Sequence, residues 1–202
     1  MSTTPTPGPP TPPTPPTPPR PPHVELLIGY ANSIDHELAT DDLTTPAELD
    51  AWLTEHGLGA GAMRATADDL AVARRLREAL QAAFTANHEG TGDFTALDAV
   101  AERLPLRLGG RDVPGDSPQP GLVPVLDGVP GALTRLLVAV NAAVVDGTWR
   151  RVKLCAADDC GWAYFDASKN RSRTWCEWGC GNKAKTRSYR ARRKAAGMSG
   201  PA

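Results

Sequence analysis

Nowhere in the 202 residues does the sequence offer the roughly 18 consecutive apolar side chains that a membrane span needs. It begins without the cationic and apolar blocks of a secretory signal, so a cytoplasmic protein is expected. There is no phosphate-cradling glycine loop and no elbow carrying a nucleophilic serine. Asp35, His36, Glu37, His56 and His88 are scattered residues of a kind that usually caps helices or lies on the surface. Together these absences predict a protein that is not an enzyme. Cysteines are few, four in all, and in a reducing compartment they serve as thiols or metal ligands more readily than as disulfides.

Net charge is also nearly absent, at −1, but the balance hides two halves. Residues 150–202 hold thirteen Lys and Arg against four acids, a net +9, whereas residues 1–149 hold nine against nineteen, a net −10. A basic C-terminal part of this kind predicts a polyanionic partner. Residues 1–22 contain 12 of the 20 prolines and a single charge, Arg20. With no apolar side chains to bury, they predict an extended, polyproline-like tail. Residues 197–202 read as a flexible C-terminus.

Residues 23–149 read as a mostly helical domain with a short β-hairpin. Val24 to Asp35 is apolar early and polar late, which fits a short helix or a strand. Thr45, Pro46 and Glu48 make a capping box ahead of Leu49, Trp52 and Leu53, and Gly57 stops that helix. Thr66 caps a long helix in which Leu70, Ala73, Arg77, Leu80 and Phe84 recur at helical spacing. Asp93 caps another, stopped by Pro105. The runs Leu106 to Leu108 and Leu122 to Leu126 pair as a ragged hairpin. Pro130 then opens an almost uniformly apolar, buried central helix that ends at Gly147.

Residues 150–196 carry the chemistry. Cys155, Cys160, Cys176 and Cys180 are spaced C-x4-C-x15-C-x3-C. Zn2+ takes four soft ligands at tetrahedral corners, and closely paired cysteines supply two corners at a time. Cys176 and Cys180 stand one helical turn apart, Cys155 and Cys160 bracket a knuckle before Gly161, and Trp162, Tyr164 and Phe165 form a small core under the ion. Four protein ligands leave no position for water, so the site is structural. Two disulfides are the alternative.

After the last cysteine a basic helix is predicted, with Asn182 as its N-cap. Lys183, Arg187, Arg190 and Lys194 fall on one stripe, flanked by Lys185, Arg192 and Arg193. Such a density of like charge repels itself unless a polyanion balances it. Arg171 and Arg173, on the turn before Cys176, are placed to reach the same phosphates, while Asn182, Lys183 or Arg187 reach base edges. Trp178 and Tyr189 either stack on bases or pack in an interface. Duplex DNA is the expected partner. RNA, or an acidic protein surface including the chain's own −10 half, are the alternatives.

The run Leu154 to Trp162, the run Phe165 to Cys176 and Cys180-Gly181-Asn182-Lys183 resemble the CGNR zinc finger. Lys183 replaces the arginine of that signature and loses its bidentate fork. Upstream, Ala31-Asn32-Ser33 and the stretch from Leu43 to Leu53 resemble the ABATE domain, which precedes this finger in bacterial proteins of a stress-induced transcription regulator family. The resemblance implies zinc, DNA binding, stress-responsive transcription regulation and association with the nucleoid. A small-molecule effector or a homodimer interface in the N-terminal domain would suit such a regulator. Asn32 is expected to cap or bridge backbone near the domain boundary rather than touch a ligand.

Overall fold

A computed structural model describes residues 20–59, 63–90, 92–112, 115 and 117–195, the last two by backbone only. The Pro/Thr tail before Arg20 and the C-terminus after Ala195 therefore lie outside the described residues. About half of the chain is helical, with six α-helices and three two-stranded antiparallel pairs among the described residues.

Pro22, which the sequence reading leaves in the tail, opens the first helix instead, α1 (Pro22–Ala31). Its fixed φ suits the first helical position, where the missing N–H costs nothing. The helix ends at Asn32, and the polar remainder turns into a small hairpin, β1 (Ile34–Asp35) and β2 (Thr40–Asp41). The apolar and polar halves of that segment thus belong to two elements.

Two capping boxes form as their sequences require. Thr45 with Glu48 starts α2 (Pro46–Glu55), and Thr66 with Asp69 starts the long α3 (Ala67–Glu89). Helix α4 (Thr95–Ala101) follows, and here Phe94 rather than Asp93 is the cap residue, although an Asp93 carboxylate oxygen accepts the Thr95 N–H at 3.0 Å. Strands β3 (Leu106–Arg111) and β4 (Gln119–Pro124) pair in register from Leu106 opposite Pro124 to Arg111 opposite Gln119. Helix α5 (Gly128–Val145) starts two residues before Pro130 and stops at Gly147, whose φ is +76°.

By length and composition α5 is apolar enough to cross a membrane, with mean hydropathy 1.6 over 18 residues, which the sequence reading did not anticipate. Half of that window is buried within the fold. Leu133, Leu136 and Ala143 meet Leu27 and Tyr30 of α1 and Leu76, Leu80 and Phe84 of α3 in one core. Its composition is that of a core helix packed on several sides.

Arg77 sits on the apolar face of α3 and is buried, 4 % exposed. It is balanced by Asp41, whose two carboxylate oxygens accept from its Nη1 and Nη2 at 2.6 and 2.8 Å, and by Ser33 at 3.0 Å. The fork holds the Asp41 carboxyl below the usual carboxylate range. This pair pins the small hairpin to α3.

The C-terminal segment does not stand apart. A single 3-10 turn (Trp149–Arg151) leads into β5 (Val152–Leu154), which pairs with β6 (Ala163–Phe165). Val152, Ala163 and Phe165 are buried in the main core, so Phe165 lies there and not under the cysteines. Asn87 of α3 donates to the Trp149 and Val152 carbonyls at 2.9 and 3.0 Å. Helix α6 (Cys180–Ala195) closes the chain.

Candidate metal centre

The cysteines are positioned from both sides of the β5–β6 pair. Past Leu154 the ladder continues by one bond, Cys155 N–H to Trp162 carbonyl at 2.8 Å, and the chain between them folds into a knuckle closed by Cys160 N–H to Ala157 carbonyl at 3.0 Å. Gly161 follows at φ +65°, and a Cβ there would come within 2.5 Å of His36 Cδ2. Only glycine allows both the left-handed turn and the close approach of the β1–β2 hairpin. The knuckle and hairpin are therefore fitted to each other.

The loop from β6 to Cys176 is organised by a buried ion pair that the sequence reading missed. Lys153 Nζ lies 2.8 Å from Asp166 Oδ2, with the two side chains 4 % and 0 % exposed. The ammonium also donates to the Arg171 and Arg173 carbonyls at 2.5 and 3.2 Å. Asp166 in turn accepts from the Ser168 N–H and hydroxyl and from the Arg173 N–H. Each buried charge is thus fully partnered, as its desolvation demands. The Asp-x-Ser spacing, an Asx-turn signature, was the available signal.

Beyond the loop, Gly179 at φ +82° delivers Cys180 as the first residue of α6. Cys176 lies in the loop, not one helical turn earlier, and Asn182 lies inside the helix, not at its cap. The Asn182 and Lys183 N–H groups are satisfied by the Gly179 carbonyl at 2.9 and 3.1 Å.

All four sulfurs lie within 4.8 Å of one another. Cys176 Sγ is 3.7 Å from Cys160 Sγ and 3.6 Å from Cys180 Sγ. A tetrahedron of thiolates about 2.3 Å from a central ion has edges of about 3.8 Å, whereas a disulfide needs about 2.05 Å. The four residues are free cysteines in a metal-binding arrangement. Burial pushes the Cys160 thiol up, and Cys176 up to about 11. Burial acts upward on Cys155 too and is the largest single influence, but the N–H groups of Cys176 and Ala157 together with the Cys176 and Cys160 thiols outweigh it and bring that thiol down. A dication supplies the charge that lets the whole set ionise. Tyr164 packs against the sulfurs, and its hydroxyl donates to the Arg173 carbonyl at 2.7 Å.

This geometry agrees with the comparisons. The ABATE family model, described as "Putative stress-induced transcription regulator", matches residues 25–148. The chain belongs to the ABATE family. The CGNR zinc finger model matches residues 151–193, in the order expected for the pair. No curated protein matches the chain. Both matched families are regulatory or zinc-finger ones rather than enzymatic.

In this ABATE protein the basic residues do not form the single free stripe expected. Helix α6 turns Cys180, Gly181 and Ala184 inward. Lys183 and Arg187 flank that face and reach acids of the same chain: Lys183 Nζ is 3.3 Å from Glu37 on the β1–β2 hairpin, and Arg187 Nη2 is 2.9 Å from Asp159 on the knuckle. Glu37 holds the Lys183 ammonium pKa above its ordinary value. Arg173 is half-buried, donating to the Trp175 carbonyl and to Glu177 while its guanidinium lies over the Tyr164 ring. Its role in the structure is to brace the finger.

Lys185, Arg190 and Arg192 are exposed, and Arg193 lies near the Tyr189 ring. Lys185, Tyr189 and Arg192 recur at i, i+4 and i+7 on the side of α6 away from Lys183 and Arg187. Arg171, exposed at φ +52°, projects from the loop that Lys153 and Asp166 fix. The Lys194 side chain lies outside the described residues. Asn32 bridges the two parts: its Nδ2 donates to the Ala163 carbonyl at 3.0 Å and its Oδ1 accepts the Ala163 N–H at 2.7 Å.

Proposed function

We propose that this protein is a DNA-binding transcription regulator of stress responses, acting in the cytoplasm on the nucleoid. In this reading a structural Zn2+, held by Cys155, Cys160, Cys176 and Cys180, fixes the direction of α6. The observation that carries it is the clustering of four sulfurs within 4.8 Å of one another at the root of a helix with seven basic residues between Lys183 and Lys194. Four soft thiolates are the donor set that suits zinc. When bound, the ion supplies no open position for catalysis; it joins the knuckle, the loop and the helix start.

Phosphates are met by Arg171, Lys185, Arg190, Arg192, Arg193 and Lys194, with Asn182 in the first turn beside them. Lys183 and Arg187 join only on leaving Glu37 and Asp159. Six such contacts give a log–log dependence of affinity on salt with slope near −5, at about −0.9 per phosphate. Fluorescence anisotropy of a labelled duplex, titrated across salt concentrations, tests this. A slope near zero removes the nucleic-acid reading, and stronger competition by structured RNA than by duplex DNA redirects it to RNA.

A second reading has the Lys183–Glu37 contact behind it. The acidic N-terminal part competes with DNA for α6, so Glu37→Gln is expected to tighten DNA binding. The pair is solvent-exposed and screened, so the gain is expected to be small, no more than a few-fold.

A further inference from the structure

The Pro/Thr tail and the most exposed tryptophan are left unused by the reading above. From Thr11 to Pro22 the sequence runs TPP, TPP, TPP, RPP. A polyproline II helix has three residues per turn, so this period places Thr11, Thr14, Thr17 and Arg20 along one edge and leaves proline rings on the other two. Pro21, the residue that joins this stretch to α1, has φ −61° and ψ 145°, polyproline II values.

Beside it opens a groove of about 470 Å3. Arg20, Ile28 and Asn32 line one side, and Trp162, Tyr164 and Trp178 line the other. Trp178 is 70 % exposed, an unusual state for the largest apolar side chain, and it stands edge-to-face with Trp162 at 6.3 Å and 83°. Grooves walled by aromatic rings are the surfaces on which polyproline segments dock, because a preformed, hydrogen-bond-free helix gives up little entropy on binding.

We propose that this groove is the docking site of the chain's own tail, with residues 11–19 lying as a polyproline II helix against Trp178 and Trp162. Three observations select this occupant. The tail enters the fold at Arg20, which is itself part of the groove wall, so it is presented at an effective concentration of about a millimolar. Nine residues at about 3.1 Å each give about 28 Å, enough to cross a site of this size. Residues 2–19 carry no charged side chain, so they would meet the groove through its rings, leaving its two charged members, Arg20 and Glu177, to solvent. The inference is independent of DNA binding.

The test uses the full-length, reduced, metal-loaded protein. One variant carries Pro→Ser at Pro12, Pro13, Pro15, Pro16, Pro18 and Pro19, leaving Arg20 and every residue after it unchanged. The readout is the indole N–H resonances, with Trp178 assigned through Trp178→Phe. The expected result is a shift of the Trp178 and Trp162 signals in the variant, those of Trp52 and Trp149 staying in place. A synthetic peptide of residues 9–21 added to the variant at millimolar concentration restores the original positions. Unmoved Trp178 and Trp162 signals overturn the proposal. So does a Trp178 position in the unmodified protein that changes with its concentration, which means a second copy's tail. A Trp178 signal that responds to duplex DNA but not to the tail substitutions assigns the groove to nucleic acid and overturns it as well.

Discussion

Replacing Asn32 by alanine is expected to loosen the attachment of the finger to the helical part. The Asn32 amide occupies the place of a third strand beside β6, pairing both the N–H and the carbonyl of Ala163, a residue 1 % exposed. Truncation orphans two backbone groups, each at a cost of about 1–3 kcal/mol. Because Asn32 also lines the groove under Trp178, water can reach one of the two, and the expected loss is about 2–4 kcal/mol. Asn32→Asp keeps the acceptor for the Ala163 N–H but sets a carboxylate oxygen against the Ala163 carbonyl, so a comparable loss is expected at neutral pH. Urea unfolding of reduced, metal-loaded protein, followed by tryptophan fluorescence, measures both, with an unchanged m-value expected. A loss below about 0.5 kcal/mol for Asn32→Ala, the range of ordinary surface substitutions, would refute the bridging role.

Other consequences follow from the same contacts. Asp41→Asn leaves the Arg77 guanidinium buried without its counter-charge; with Asp41 itself 22 % exposed, the loss at pH 7 falls at the low end of the range for broken buried pairs, about 3 kcal/mol by denaturant unfolding. Since Arg77 lowers the Asp41 pKa in the folded state, that stability is fully present above the unfolded value of about 3.9 and is lost as pH falls through the lower folded value, so the gap between wild type and variant narrows progressively as pH falls below about 5. Gly161→Ala forces a left-handed φ on alanine and a clash with His36, costing about 1–3 kcal/mol, part of which His36→Ala recovers in a double-mutant cycle. Lys185→Ala lowers the salt slope of DNA binding by about 1. Lys183→Ala, whose ammonium already meets Glu37, lowers it by less, and equal effects of the two would contradict the assignment of faces on α6.

What the sequence made legible was local. The box at Thr45 and the cap at Thr66 each need residues only three apart, and both form, Thr66 with Asp69 completing a second box. The four cysteines were readable because metal ligands come at characteristic spacings. What was not legible depended on distant partners. Arg77 fits a helical apolar stripe by position, but its burial depends on Asp41, 36 residues away. The stripe from Lys183 to Lys194 runs along α6, and what the wheel could not show is that Glu37, 146 residues before Lys183, and Asp159, 28 before Arg187, already engage two of its members. Phe165 was expected among the cysteines because it is near them in sequence; strand alternation sends Tyr164 there and turns Phe165 into the main core. Asn32 is the exception, since its expected role of capping or bridging backbone is what the structure shows.

The central claim is that a metal bound by four sulfurs holds α6 in place, for the described part of that helix packs inward through Cys180, Gly181 and Ala184 and is otherwise tied down by the exposed ion pairs of Lys183 and Arg187. Sixteen isolated helical residues are marginal in water. Amide hydrogen exchange before and after chelation, in reduced full-length protein, tests this directly. The account predicts that metal removal abolishes protection at the Cys155 and Ala156 amides and through the first turns of α6, while Leu76 to Phe84 in α3 stay protected. Equal protection of α6 in the metal-free protein would contradict it.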